Sequence, residues 1–283
     1  MFNLQQNTPE WLEMRKNKVG ASDAPIIMGV SPWTTAYQLW EEKLDLVPSK
    51  QETLPMKKGH KLEELARLEL EKMTGFFFLP EVRLHSTLPW MMASLDCIDP
   101  EGHHIAEIKC PGIEDHSIAL DGKIPDKYFP QLQHQLEVCQ LEKGYYFSFY
   151  EAKGVIVEVY RDDTYIKKMI EKEKRFWECL QEFSPPEMTE RDYIQQTDPL
   201  WKDYASEWRM LNEQIKALEA KEKHLREAII AMSGKKNAIG AGIKLTRFMR
   251  KGNVDYSAIP ELKQVELDKY RKNPIESYRI SAA

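Results

Sequence analysis

Cysteine is scarce in this sequence. There are four, Cys97, Cys110, Cys139 and Cys179, and no two stand in a CxxC pair. That spacing fits no zinc or iron–sulfur signature and disfavours a disulfide framework. No apolar run approaches the roughly 18 residues that a membrane-spanning helix needs. The segment Met1–Trp11 is polar and lacks the apolar stretch of a secretory leader. We therefore expect a cytoplasmic protein with no membrane partner. There is no internal repeat and no low-complexity segment. Positive charge is not in excess: 40 Lys and Arg face 45 Asp and Glu, for a net charge of −5. This disfavours a protein that simply coats nucleic acid, but suits an enzyme with an acidic site and a basic surface elsewhere.

What is present is enough for a packed core. Hydrophobic residues make up 42% and aromatics 10% of 283 residues, which fits one large domain or a core with an appendage. Basic residues gather at Lys57-Lys58, at Lys235-Lys236 and across Lys244, Arg247, Arg250 and Lys251. The last run is either a DNA-backbone contact or an exposed strand with ordinary charges.

Local signals mark the elements. Thr8-Pro9-Glu10 opens a helix with a capping residue and a proline at its first position. Gly20-Ala21-Ser22-Asp23 reads as a turn into a second helix over Ala24 to Met28, and Gly29-Val30-Ser31-Pro32-Trp33 breaks it. Thr35 to Leu44 forms another short helix. Gly59 to Thr74 reads as an amphipathic helix with Leu62, Leu65, Ala66, Leu68 and Met73 on its apolar face, stopped by Gly75. Strand-like runs follow at 81–85, 90–98 and 105–110, then a helix over 125–139. A hairpin of 144–150 and 155–160 turns at Lys153-Gly154, and a long helix covers 163–183. Ser184-Pro185-Pro186 marks a boundary. Beyond it Trp201, Tyr204, Trp208, Leu211, Ile215, Leu218, Leu225, Ile229 and Met232 keep a heptad spacing that only Glu222 breaks. That seam packs either on its own chain, the favoured reading, or on a partner. Short strands with glycine turns follow over 237–256. The domains expected are a core of 1–185 and an extension of 199–283 with the heptad helix and a small β segment.

The chemistry concentrates in Ser94-Leu95-Asp96 and Glu107-Ile108-Lys109. Asp96 falls near the end of one strand, and Glu107 and Lys109 on the next. Their spacing of two puts Glu107 and Lys109 on one sheet face, with Ile108 turned to the core. Phosphodiester hydrolysis calls for this inventory: hard oxygen ligands for Mg²⁺, and a lysine to orient water or offset developing charge. Glu63 offers a third carboxylate from the helix before. An isolated Glu-x-Lys on a strand is commonplace, so the weight falls on what accompanies it.

That company is specific. Arg15 stands with Gly20–Asp23; Gly29–Trp33 follows; then come Gly59-His60-Lys61-Leu62-Glu63 with Ala66-Arg67, Ser94-Leu95-Asp96, Glu107-Ile108-Lys109-Cys110-Pro111 and Gln131-Leu132-Gln133-His134-Gln135. Over Trp11 to Tyr150 these motifs, in this order, resemble the phage nuclease family of lambda exonuclease and the YqaJ-type viral recombinases. The resemblance implies an α/β (α+β) fold: a PD-(D/E)xK, restriction-endonuclease-like core with a central mixed sheet flanked by helices, here with a helical C-terminal extension. It implies that Asp96, Glu107 and the Ile108 carbonyl hold Mg²⁺, or Mn²⁺ in its place. Lys109 would assist the water, with Glu63 and Gln131 beside it. Arg15 and Ser22 would contact the 5′-phosphate of DNA, chemistry that a guanidinium and helix-terminal amides suit. Leu95 stands where the family name has proline.

The activity expected is that of a Mg²⁺-dependent 5′→3′ exonuclease of phage or prophage origin in a bacterial host. It would act on linear double-stranded DNA and leave 3′ single-stranded tails for recombination through a single-strand annealing protein. The extension sets the family's homotrimeric ring in question, and admits an endonuclease or structure-selective nuclease of the same fold. A non-catalytic DNA-binding module has no need of Asp96, Glu107 and Lys109 together. Several residues keep two readings. Ser22 is a phosphate contact or a helix cap, and Gln131 a site residue or a solvent-facing one. Trp33 and Trp40 are core, the favoured reading, or base-stacking residues. His60 and His134 are structural or beside the site, and His103-His104 belong to a turn rather than a metal.

Overall fold

The structure, a computed structural model, describes residues 6, 8–48, 54–265, 267–272, 275 and 280, with the backbone alone at 54–60, 257, 263, 264, 268 and 269. It divides into two compact units, Met1–Ile194 and Gln195–Ala283.

In the first unit, α1 (Pro9–Lys16) opens as the sequence predicts, with Thr8 accepting a hydrogen bond from the Trp11 amide. A short strand β1 (Val19–Gly20), a 3-10 turn (Ala21–Asp23) and α2 (Ala24–Ile27) follow. Thr35 and Gln38 form a capping box at the start of α3 (Ala36–Lys43). Then come α4 (Leu54–Thr74), β2 (Leu79–Leu84), β3 (Met91–Ile98), β4 (Ile105–Lys109), α5 (Ile113–Leu120), α6 (Phe129–Cys139), β5 (Lys143–Tyr150), β6 (Lys153–Tyr160) and α7 (Asp163–Gln181).

Strands β1 to β6 make one mixed sheet in the order β1-β3-β4-β5-β6, with β2 also on β3. β1 on β3 and β4 on β5 are parallel; the other pairs are antiparallel. The central strand β4 is buried over Ile105–Ile108, as expected of a strand covered on both faces. One apolar cluster joins the sheet to α2, α3, α6 and α7 through Leu39, Leu132, Leu136, Tyr146, Met169 and Phe176. A second joins the opposite face to α4 through Ala66, Leu70, Ala106, Ile108 and Phe147. A fully buried side chain of the size of Leu70 contributes about 1.5–3 kcal/mol. This is the central mixed sheet flanked by helices that the sequence leads one to expect.

β3 carries the feature that makes a site. β2 pairs along one of its edges. The other edge is divided between β1, at Met91 and Met92, and β4, at Cys97 and Ile98. Among the described residues no strand runs beside 93–96 on that edge, and the sheet opens there into a cleft.

Several expectations change. α4 starts at Leu54 rather than Gly59, and Leu65 and Leu68 lie exposed, because the face that meets the sheet is that of Ala66 and Leu70. α6 starts at Phe129 rather than 125. The β5–β6 hairpin turns at Glu151 and Ala152, with φ of 47° and 60°, not at Lys153-Gly154. Two positive φ angles define the tight turn that matches strand twist. Gly154 is needed for another reason: a Cβ there would lie 2.3 Å from the Phe147 ring. β1 and α5 carry no periodicity long enough to read.

The second unit holds α8 (Pro199–Met232), capped by Asp198, and a small hairpin of β7 (Ala238–Gly240) and β8 (Ile243–Leu245). Short 3-10 turns follow at Tyr256–Ala258, Pro260–Gln264 and Leu267–Tyr270. The heptad helix is present, but no residue of α8 is buried, and Trp201, Tyr204, Ile215 and Leu218 are all exposed. Within this unit, none of the described residues covers its apolar seam.

Candidate active site

A cleft of about 890 Å³ opens at the divided edge of β3, and it is lined by Arg15, Ser22, Glu63, Asp96, Glu107, Ile108, Lys109 and Gln131 among others. All the site residues named from the sequence therefore meet in one place. The β3–β4 ladder ends at the pair Cys97–Ala106. Beyond it the Ile108 amide donates to Asp96 Oδ2 at 3.0 Å. The aspartate side chain thus takes over where backbone pairing stops, and this fixes Asp96 beside β4. Trp11 of α1 reaches the same strand, its indole N–H donating to Ser94 Oγ at 2.9 Å.

Glu107 is 1% exposed and held from three sides. Lys109 Nζ donates to its Oε1 at 2.5 Å, Gln131 Nε2 to Oε1 at 2.6 Å, and Gln135 Nε2 to Oε2 at 2.5 Å. Gln131 is a buried member of the cleft rather than a solvent-facing residue. Gln135 was not foreseen. It stands one helical turn beyond Gln131, and that spacing puts both amides on the same face of α6.

The electrostatics fit a cation. Burial, then the neighbouring Glu107, holds the Asp96 carboxyl well above the usual carboxylate range; Glu63 adds to the effect, and Lys109 and the Ile108 amide oppose it. Burial alone would lower the pKa of Lys109, but Glu107 and Asp96 outweigh it and hold it above the usual lysine range. Lys109 is thus an ammonium, a donor and not a base. Among the described residues no three His, Cys, Asp or Glu side chains stand together as a complete metal cage. The donor set of two carboxylates and a backbone carbonyl still suits Mg²⁺, which takes few protein oxygens and keeps its waters.

The other wall is built by α1 and the turn after β1. Arg15 lies 4.8 Å over the Trp11 ring and donates to Ser22 Oγ at 2.9 Å and Asp23 Oδ1 at 3.4 Å. Ser22 does not cap α2; its hydroxyl serves Arg15 instead. Asp23 is buried and also accepts from the Gly20 amide at 2.9 Å and pairs with Lys43 at 2.8 Å. Burial would raise the Asp23 pKa, but Lys43, Arg15 and the Gly20 amide together hold it below the usual value. Lys43 spends its remaining donors on the Arg15 and Lys18 carbonyls, both at 2.8 Å. Asp23 and Lys43 thus position Arg15. In the sequence, Lys43 is one more lysine at the end of a helix.

The remaining polar motif of α6 is structural. His134 is fully buried between Glu173, at 2.8 Å, and the Met92 carbonyl, at 2.9 Å. Gln133 bonds the Tyr160 carbonyl and the Asp162 amide. Asp99 accepts from the His103 and His104 amides and pairs with the His104 ring, which stacks on Phe76, so this pair closes a turn. Trp40 is core. Trp33 is 64% exposed, which overturns the core reading for it. The side chains of Lys57, Lys58 and His60 lie outside the described residues.

Comparison with known proteins bears on this arrangement. Residues 10–142 match the model of the YqaJ-like viral recombinase domain. The chain is 29% identical to the YqaJ protein of Bacillus subtilis (strain 168) over 181 residues, which is 62% of this chain and 57% of that protein's length. An alkaline exonuclease (LHK-Exo) from Laribacter hongkongensis superposes with a TM-score of 0.54 at 23% identity, covering 62% of this chain and 94% of that one. The same exonuclease in complex with dAMP gives 0.55, with the same identity and coverage. The likeness to these structures is one of fold, and it is the PD-(D/E)xK-type fold expected from the sequence.

Proposed function

With residues 10–142 forming a YqaJ-like viral recombinase domain, we propose that the protein is a Mg²⁺-dependent 5′→3′ exonuclease. Its substrate is linear double-stranded DNA, and its product a 3′ single-stranded tail for a single-strand annealing protein. The observation that carries this reading is one cleft that unites Asp96, Glu107 and Lys109 with Arg15 and Ser22.

Asp96, Glu107 and the Ile108 carbonyl would hold the metal. When bound, Mg²⁺ supplies Lewis-acid polarisation of the phosphoryl oxygen and lowers the pKa of water. The protein's own groups position and balance charge. Lys109, kept as an ammonium, donates to the phosphate as negative charge grows on it. Gln131 and Gln135 fix the Glu107 carboxylate so that it need not reorganise. Hydrolysis breaks the bond between phosphorus and the 3′-oxygen, and that oxygen takes a proton. The shortened strand again begins with a 5′-phosphate, the group that Arg15 and Ser22 suit.

The test is end chemistry. Arg15→Ala should lose the preference for 5′-phosphate over 5′-hydroxyl ends while it still degrades both slowly. An unchanged preference in this variant would remove the basis for the polarity. The competing reading is an endonuclease, motivated by the second unit, and cleavage of closed circular DNA would favour it.

A further inference from the structure

We propose that Trp33 is a stacking platform for an unpaired nucleobase of the strand whose phosphates pass Lys109. This rests on the nuclease reading above and deepens it. Trp33 is the largest side chain on a loop that function has not otherwise absorbed, and it is 64% exposed. An exposed indole on a mobile loop would mean little. This loop is tied down on every side. Ser31 Oγ accepts from the Trp33 and Thr34 amides, both at 3.3 Å. The Val30 and Ser31 amides donate to the Pro25 carbonyl, both at 3.0 Å. Arg191 spans the loop from the end of the first unit, donating to the Ser31 carbonyl at 3.1 Å and the Pro32 carbonyl at 3.0 Å. Thr35 bonds Asp192 beside it. The fold fixes the backbone that carries the indole and leaves the ring in solvent. A rigid exposed aromatic loses little entropy on binding, which is why tryptophan dominates binding hot spots.

Its surroundings point to the ligand. Lys127 Nζ lies 5.1 Å over the Trp33 ring and 5.4 Å over the Tyr128 ring. Tyr128 lines the catalytic cleft, and Lys109 Nζ lies 5.5 Å over it. One ammonium therefore bridges the exposed indole and the cleft wall. Asp115 pairs with Lys127 at 2.7 Å and accepts from the Tyr128 hydroxyl at 3.4 Å, which fixes this group. Aromatic faces alternating with cations are what single-stranded nucleic acid recognition uses: bases stack on rings, and phosphates meet ammonium groups. A duplex base has both faces covered by its neighbours. The base at Trp33 is therefore unpaired, at the frayed end of the duplex or in the strand being released.

The test uses full-length protein in the Lys109→Ala background, so that bound DNA survives in Mg²⁺. Short 5′-phosphorylated duplexes carry 2-aminopurine at successive positions from the end, and binding is followed by anisotropy. We expect 2-aminopurine emission to change on binding at one or two positions only. Trp33→Ala should abolish that change and weaken binding about tenfold, while Trp33→Phe restores most of both. The salt dependence should stay unchanged in Trp33→Ala and become shallower in Lys127→Ala, since only the latter removes a phosphate contact. If Trp33→Ala matches its background in affinity and in the 2-aminopurine profile, the proposal is overturned while the nuclease reading stands. If the background protein binds no DNA and the wild type cuts none, the nuclease reading fails, and this proposal with it.

Discussion

Gln135 of α6 donates to Glu107 Oε2 of β4 at 2.5 Å, from a helix packed on the strands β3 and β5 that flank β4. The contact leaves no freedom to a carboxylate that would otherwise rotate in a buried site. Replacing Gln135 by Leu should weaken Mg²⁺ binding about 10- to 100-fold, the usual effect of losing a group that orients a metal ligand. A Mg²⁺ titration of activity reads this. The half-saturating concentration should rise while the rate at saturation falls much less. An unchanged titration would detach Gln135 from the metal site.

Asp23 and Lys43 form the buried pair that holds Arg15. Breaking such a pair from one side leaves an uncompensated charge and costs about 3–5 kcal/mol. Asp23→Asn should therefore lower the unfolding free energy by that order in urea denaturation. The pH dependence follows from the depressed Asp23 pKa. Its stabilisation is present above the unfolded value of about 4 and is lost as pH falls through the lower folded value. Asp23→Asn should make the wild type's acid sensitivity shallower. An equally steep acid loss in both proteins would place the sensitivity elsewhere.

His134 and Glu173 predict the opposite sign. The His134 ring faces an acceptor at both nitrogens, the Met92 carbonyl and the Glu173 carboxyl. The buried pair therefore keeps one extra proton. Burial alone would lower the His134 pKa, but Glu173 and the Met92 carbonyl raise it; the Glu173 pKa is raised by burial despite His134. Both folded values lie above the unfolded ones. The stability they confer is fully present at acid pH and is lost as pH rises through the folded values. Unfolding free energies measured from pH 6 to pH 9 should fall with pH in the wild type and stay flatter in Glu173→Gln. A wild type with no slope there would contradict the assignment.

All the site side chains named above lie within Met1–Ile194. A protein ending at Ile194 should still unfold cooperatively and keep its Mg²⁺-dependent cleavage. One ending at Pro185 loses Arg191 and Asp192, the clamp on the Trp33 loop. It should cut DNA more weakly than the longer form. Equal activity from the two would show that the clamp has no part in DNA handling.

How much of this could be read from the sequence depends on where each signal resides. Asp96, Glu107 and Lys109 were legible because strand alternation puts Glu107 and Lys109 on one face and because the ordered motifs around them carry the family resemblance. The long helices at 59–74 and 201–232 were legible from the spacing of their apolar residues, the first also from the glycine that stops it. Leu65 and Leu68 were misassigned because α4 carries apolar residues on two faces, and only the sheet selects Ala66 and Leu70. The hairpin turn was misplaced because Glu151 and Ala152 take positive φ without glycine. Lys43 and Gln135 were silent for a common reason. A buried lysine and a buried amide look like surface residues until the partners that satisfy them are brought near from distant parts of the chain.

The central claim is metal-dependent cleavage from DNA ends by Asp96, Glu107 and Lys109. The most direct measurement is digestion in Mg²⁺ of linear duplex DNA with 5′-phosphate ends, the same duplex with 5′-hydroxyl ends, and closed circular DNA, by the wild type and by Lys109→Ala. Only linear DNA should be degraded, 5′-phosphate ends fastest, with all activity lost in Lys109→Ala and on chelation of the metal. Cleavage of circles at the rate of linear DNA, or full activity in Lys109→Ala, would contradict it.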